Sequence, residues 1–380
     1  MPLSHLKVMH ALSSCRTKEL GGHIERCDKC GFEIQAYNSC RNRHCPKCQA
    51  LLKAKWLEMR KAELLPVHYF HNVFTLPHEI NPLALANKKI IYTMLFGAVS
   101  ETLTEFAENP EYGLGGQIGF IGILHTWDQK LLDHFHLHCV IPGGALSFDK
   151  DEWIPSNEHF LFDVLELSKV FRENFIHLLD KAYRKKELIF PGRLCYLEDD
   201  EGFCDLMGKL WAKDWVVYSK ESFVSPEYVL DYLGRYTHRV AISNNRLTAI
   251  EDNTVTFTYK DRKDEGKCKS LTLSADEFIR RFLLHVLPDN FVRIRYFGFL
   301  ANRHKSENVA LCRDLLDAPP QTSQPEKLTI EQLMLDLCGL DITLCPLCGQ
   351  GRMVVVETIL PASALKRIKH LPKSQFQNTS

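Results

Sequence analysis

Cysteine and histidine are the residues with the most chemical potential here, and both fall in spaced groups. Cys27-x2-Cys30 is followed, after 14 residues, by Cys45-x2-Cys48. Two turns of this kind can place four thiolates tetrahedrally around Zn²⁺ at about 2.3 Å, and such an ion stabilises a module too small to fold on a core alone. The expected zinc set is therefore Cys27, Cys30, Cys45 and Cys48. Cys15, Cys40, His44 and His23 lie nearby in sequence as candidates for a second ion. Near the far end, Cys345-Pro-Leu-Cys348-Gly is another turn of the same kind without an obvious second pair.

The histidines His134, His136 and His138 alternate with Phe135 and Leu137, and Val140 follows. In a strand, period 2 sends all three to one face. Adjacent imidazoles can hold a divalent metal if a third polar group comes from a neighbouring strand. His125 is the preferred third ligand and Gln129 the second choice. Farther on, Tyr228, Tyr232 and Tyr236 recur every four residues, which on a helix is one face. A phenol held near a divalent metal can attack phosphorus and keep the energy of a cut phosphodiester in a phosphotyrosine bond. Mg²⁺ or Mn²⁺ suits the hard phosphate oxygens at such a site.

The elements that must position these groups are legible in outline. A helical run, Gln49 to Leu65, closes the Cys-rich block at Pro66. Then come a strand at Tyr69 to Leu76, a helix from Asn87 to Glu108, strands at Gln117 to Trp127 and His134 to Ile141, a helix from Glu158 to Lys186 and a strand at Trp215 to Ser219. The order β-α-β-β-α-β predicts an α+β, ferredoxin-like antiparallel sheet with helices on one face. Ser225, Pro226 and Glu227 open the tyrosine helix. Strands at Val240 to Ser243, Arg246 to Ile250, Thr254 to Lys260 and Ser270 to Leu273 form a β-rich subdomain, and Ser274 with Glu277 caps a helix. In a last strand, Val292, Ile294 and Tyr296 alternate with Arg293 and Arg295. The expected division is 1–65, a zinc-binding domain; 66–240, the ferredoxin-like core with the tyrosine helix; 241–315, a β-rich and helical subdomain; and 316–380, a linker, Cys-x2-Cys turn and basic tail.

Composition excludes several classes. With 45% hydrophobic and 25% charged residues the chain is neither disordered nor fibrous. No apolar stretch approaches the roughly 20 residues of a spanning helix, and the start lacks a signal-peptide core, so a cytoplasmic protein with no membrane partner is expected. The formal net charge is zero. Residues 1–62 nevertheless carry 12 basic and 5 acidic side chains, and 141–210 carry 9 basic and 14 acidic. Basic ends around an acidic centre suit a polyanion.

His136-Leu-His138 matches the histidine-hydrophobic-histidine (HUH) signature of single-strand endonucleases. Cys40-Arg-Asn-Arg-His-Cys-Pro-Lys-Cys48, His125-Thr-Trp127, His136-Leu-His-Cys-Val-Ile-Pro-Gly-Gly144, Tyr232-Leu-Gly-Arg-Tyr-Thr-His-Arg239 and Arg295-Tyr-Phe-Gly-Phe-Leu-Ala-Asn-Arg303 resemble the two-tyrosine rolling-circle transposases of the insertion sequence ninety-one family. The resemblance runs from the zinc domain to about Arg303. It implies Tyr232 and Tyr236 as nucleophiles, 5′-phosphotyrosine intermediates, and single-stranded DNA at element ends plus target DNA as substrates, with association with the nucleoid through that DNA. Arg235 and Arg239 become candidate phosphate clamps, and the zinc domain with Arg293 and Arg295 candidate DNA-binding surfaces. A replication initiator or relaxase would share the metal and the tyrosines. A non-catalytic zinc-ribbon regulator would bind DNA without ever becoming attached to it.

Overall fold

The computed structural model describes residues 1–61, 63–111, 113–223, 228–229, 234, 241–261, 264–319 and 329–364. Its contacts divide the chain into two units, Met1–Trp56 with Pro325–Ser380, and Leu57–Gln324.

The first unit opens with helix α1 (Leu3–Ser13), followed by strands β1 (Gly22–Cys27) and β2 (Glu33–Tyr37), and α2 (Pro46–Lys61) starts within it. A strand from the other end of the chain, Met353–Ile359, pairs antiparallel with β1, making a three-stranded sheet with β1 in the middle. The expected division sets 1–65 and 316–380 as separate segments, and the ladder from Gly22↔Ile359 to Cys27↔Met353 joins a strand of the second to β1 of the first.

The second unit is built on a five-stranded sheet. In chain order the elements are β3 (Tyr69–Thr75), α3 (Asn81–Ala86), α4 (Lys88–Glu108), β4 (Gly119–Trp127), β5 (Asp133–Pro142), a small hairpin β6 (Gly144–Leu146) and β7 (Trp153–Pro155), α5 (Val164–Arg184), α6 (Asp200–Trp211) and β8 (Val216–Phe223). A second sheet, β9 (Leu247–Glu251), β10 (Thr254–Asp261) and β11 (Lys267–Ser274), leads to the helix Ala275–Leu284 and then β12 (Ile294–Gly298). The large sheet has the order β12-β4-β5-β3-β8, every neighbour antiparallel. Without the edge strand β12, this is the ferredoxin-like arrangement of a β-α-β-β-α-β unit. The expected α+β fold is the observed one.

Alternation decides which face is covered. Phe70 and Phe74 of β3, Phe120 and Leu124 of β4, and Phe135, Leu137, Cys139 and Ile141 of β5 all enter one apolar core. Against them lie Ile91, Leu95, Val99 and Phe106 of α4 and Leu167, Phe171, Phe175 and Leu179 of α5, recurring at helical spacing. Asp163 caps α5 by accepting from Leu165 N at 2.8 Å and Glu166 N at 2.9 Å, and Lys181 and Arg184 sit in its last turn, where the dipole favours cations.

The β-rich subdomain follows expectation in β9 to β11, and Ser274 Oγ accepts from Glu277 N at 3.3 Å at the foreseen cap. The expected strand at Val240 to Ser243 is corrected in its described part. Residues 241–243 join no ladder, since Ala241 has φ 54° and cannot continue an extended chain. Helix α6 was not foreseen. Most of the expected tyrosine helix lies outside the described residues. Among the described residues no helix is long and apolar enough to cross a membrane.

The covered face carries most of the fold's apolar burial. Leu137→Ala should lower the unfolding free energy by about 2–5 kcal/mol in chemical denaturation. Val216→Ala, on a side chain exposed at the sheet edge, should stay within about 0.5 kcal/mol.

Candidate active site

With helices on one side of the sheet, the opposite parity of the same strands faces away from them. His136 and His138 of β5 and His125 of β4 have this parity, and His125 pairs directly with His136 across the ladder. The ligand atoms of the three imidazoles all lie within 4.8 Å of one another, and all three residues are buried. Their ring centroids are 5.2 Å apart for His125 and His136, 4.4 Å for His125 and His138, and 4.8 Å for His136 and His138. A convergent set of buried imidazoles from adjacent central strands is a donor set that fits a divalent ion.

Two neighbours orient these rings. His136 Nδ1 donates to the carbonyl of His134 at 3.0 Å, which leaves Nε2 as the ligand nitrogen. His138 Nδ1 lies 2.8 Å from Nε2 of His71 on β3, and the two rings stack at 5.1 Å. Burial, with a smaller contribution from Lys220, pushes the His71 imidazolium down to about 3, so His71 is neutral and can accept the proton on His138 Nδ1. A hydrogen bond of this kind selects the tautomer and ring orientation of a metal-binding histidine. On the far side, His125 stacks on Trp127 at 4.6 Å.

His134, expected on the same strand face, has its ring 4.7 Å from His136 but is not in the convergent trio. Gln129, the alternative third ligand, is directed elsewhere. Its side-chain oxygen accepts from Lys260 N at 3.5 Å on β10. Arg295, expected with Arg293 on a DNA-binding surface, packs against aromatic rings. Its guanidinium lies 4.2 Å from the ring of Phe96 and 5.1 Å from that of Phe291, because its parity is that of Phe297, on the helix-covered side. Arg293 bonds through its carbonyl to Leu124 N at 3.0 Å beside β12. Tyr232, Tyr236, Arg235 and Arg239 lie outside the described residues. Tyr228 is exposed, whereas Val229 is buried and lines a cavity with Tyr69, Ile121, Val140 and Tyr296, all on the histidine side of the sheet by parity.

Sequence reasoning missed His71 and a basic group around Tyr296. Arg60 Nη1 donates to Tyr296 Oη at 2.7 Å, Lys305 Nζ sits 4.6 Å from the same ring, and both cations pair with Glu63. The strand at Tyr69 already gave His71 a face. Only the strand order could show that this face is the one on which the three histidines converge.

The cysteines form two sets of four, Cys15, Cys40, Cys45 and Cys48, and Cys27, Cys30, Cys345 and Cys348. The expected set of Cys27, Cys30, Cys45 and Cys48 is corrected. Cys27 and Cys30 sit at the tip of the β1–β2 hairpin, beside the C-terminal strand, whereas Cys45 and Cys48 flank the start of α2 and meet Cys15 just after α1. In the first set the Sγ separations are 3.7 Å for Cys15 and Cys48, 3.7 Å for Cys40 and Cys48, and 3.6 Å for Cys15 and Cys45. A tetrahedron with Zn–S of about 2.3 Å has edges of about 3.8 Å, so these thiols fit one zinc ion. His44 is not among them, its Nδ1 lying 3.1 Å from Asn42 Oδ1, and His23 Nε2 lies 3.0 Å from Glu25.

Comparison with known proteins agrees with this layout. A family model described as "Transposase zinc-binding domain" matches residues 1–76, and one described as "Putative transposase" matches residues 119–308, which contain β4, β5 and all three convergent histidines. The chain is 49% identical over 355 residues to "Putative transposase y4qJ" of Sinorhizobium fredii (strain NBRC 101917 / NGR234), covering 92% of this chain and 88% of that protein. It is 26% identical over 352 residues to "Transposase for insertion sequence element IS801" of Pseudomonas savastanoi pv. phaseolicola, covering 91% of this chain and 82% of the relative. Likeness that extends over nearly the whole of both chains, joined to a zinc-binding domain at the N-terminal end, shows that the chain belongs to the insertion sequence ninety-one family of transposases.

Proposed function

We propose that this transposase nicks and rejoins single-stranded DNA at the ends of its element through 5′-phosphotyrosine intermediates, in a rolling-circle mode. The observation that carries the reading is the convergence of His125, His136 and His138 on the face of the ferredoxin-like sheet opposite α4 and α5. Mg²⁺ or Mn²⁺ bound by these imidazoles would supply Lewis acidity toward the scissile phosphate.

The protein's own groups account for the rest. Tyr232 attacks phosphorus through its phenolic oxygen and loses its proton. The bond from phosphorus to the 3′-oxygen breaks, and that oxygen leaves as a free 3′-hydroxyl after taking up a proton. Tyr236 repeats the reaction on the next strand. In the joining step a 3′-hydroxyl attacks the phosphotyrosine and restores the phenol. No external energy source enters, because each ester bond broken is replaced by another. Val229, three residues before Tyr232 in sequence, lines the cavity on the histidine side. Arg235 and Arg239 serve as phosphate clamps, and the zinc domain and Arg293 hold the DNA backbone. Arg295 is left out of this role, since its guanidinium is held against the rings of Phe96 and Phe291. The reaction takes place in the cytoplasm, where the DNA of the nucleoid is found. The transposase relatives favour this reading over a replication initiator, and the histidine trio favours it over a regulator that only binds DNA.

Three expectations test the proposal, each with labelled single-stranded element-end DNA and Mn²⁺. His136→Ala and His138→Ala should lose the covalent protein–DNA adduct on a denaturing gel while keeping DNA affinity, and His125→Ala should behave as they do. Normal cleavage by these variants would remove the metal assignment. His71→Phe should keep the stacking on His138 and lose its hydrogen bond. It should raise the Mn²⁺ concentration for half-maximal cleavage by about 10–100-fold. A purely structural role would lower the melting temperature and leave that midpoint in place. For the tyrosines, the double change Tyr232→Phe with Tyr236→Phe should abolish the adduct in a folded protein, and Tyr228→Phe should retain it. An adduct from the double variant would exclude both phenols as nucleophiles.

A further inference from the structure

The second cysteine set joins residues more than 300 positions apart. Cys27 and Cys348 have Sγ atoms 3.8 Å apart, and Cys30 and Cys345 have theirs 3.6 Å apart. These separations match the edge of about 3.8 Å expected of a tetrahedral zinc thiolate site, and they are far longer than the roughly 2.05 Å of a disulfide.

The two halves are built alike. In the first, Cys27 N donates to Phe32 O at 2.9 Å and Gly31 N to Cys27 O at 3.1 Å. In the second, Cys345 N donates to Gly351 O at 2.9 Å and Gly349 N to Cys345 O at 2.9 Å. Gly31 and Gly349 follow their cysteines with φ of 74° and 64°. Backbone N–H groups point at sulfur on both sides, from Lys29 and Cys30 to Cys27 Sγ and from Gly351 to Cys348 Sγ, each at 3.4 Å, which favours thiolate. Gly351 is tightly placed as well. A Cβ there would come within 2.3 Å of Cys27 Sγ, so the bare backbone is what lets the second turn approach the first.

We propose that Cys27, Cys30, Cys345 and Cys348 bind a second structural zinc ion, forming a zinc ribbon assembled from the two ends of the chain. The ion sits where β1 and the strand Met353–Ile359 begin their ladder, and it holds the C-terminal strand against the N-terminal hairpin. Zinc suits the role because it is redox-inert and takes four thiolates without a geometric preference of its own. The inference is independent of the nuclease reading, since it concerns different residues and another ion.

The test is metal content of the purified full chain. Wild type should lose one equivalent of zinc on the double change Cys345→Ser with Cys348→Ser, another on Cys40→Ser with Cys45→Ser, and both when the changes are combined. Undiminished zinc in the Cys345, Cys348 variant would overturn the proposal, and iron in place of zinc would overturn the identity of the ion. Differential alkylation of wild type covers the case in which a variant fails to fold. Cys30 is exposed and Cys348 partly so, as unligated thiols would react. Cys27, Cys30, Cys345 and Cys348 should therefore resist alkylation as a set until a chelator is added, while exposed Cys195, Cys204 and Cys268 react at once. Reaction of Cys30 and Cys348 at the rate of Cys268, with no change on chelation, would also overturn it.

Discussion

The strict alternation of β5 is the constraint on which the rest of the larger unit depends. Phe135, Leu137, Cys139 and Ile141 face the helices and His136 and His138 face away, so one strand supplies both the middle of the core and two imidazoles of the candidate metal site. A one-residue slip in pairing would exchange the two sets, burying imidazoles among phenylalanines and exposing the apolar row. The register that stabilises the fold is therefore the register that builds the site. Its neighbours enforce it from both sides, β4 through His125↔His136 and β3 through Val73↔His138.

That arrangement explains why the histidines are buried without belonging to the core. Their strands are central, and on their own face Tyr69 and His71 of β3, Ile123 of β4 and Val140 of β5 are buried beside them. A buried polar ring is costly unless each nitrogen has a partner. The His134 carbonyl and the neutral ring of His71 supply partners for one nitrogen of His136 and one of His138, and these bonds fix the direction in which the other nitrogen points. Burial holds His71 neutral, and as a neutral ring it can act as an acceptor.

The smaller unit solves a different problem. Its strands are short and its β2 and C-terminal strand are largely exposed, so apolar burial alone holds it weakly. Cysteine sets take the place of a core. Cys15, Cys45 and Cys48 are themselves the centre of its small buried cluster, with Leu12 packed beside them. β1 is the middle strand, and the partner that completes its sheet, Met353–Ile359, comes from beyond the larger unit in sequence.

How much of this was legible in the sequence follows from the range of each interaction. Period-2 and period-3.6 patterns are local, so the β-α-β-β-α-β order, the shared face of His136 and His138 and the cap at Ser274 could all be read from neighbours along the chain. The family could be read as well, because its motifs are short runs of adjacent residues. Long-range choices could not. A Cys-x2-Cys turn has the same local form whichever pair completes it, so spacing favoured Cys45 and Cys48 as partners for Cys27 and Cys30, and only the β1 ladder with Met353–Ile359 showed that Cys345 and Cys348 lie there. Likewise, alternation gave Arg295 a parity without saying which side the helices cover, and it gave His71 a face without saying that β3 lies next to β5. The sequence by itself determined what each element is and which residues share its faces. Strand order and pairing, which depend on contacts between distant parts of the chain, decided which faces meet.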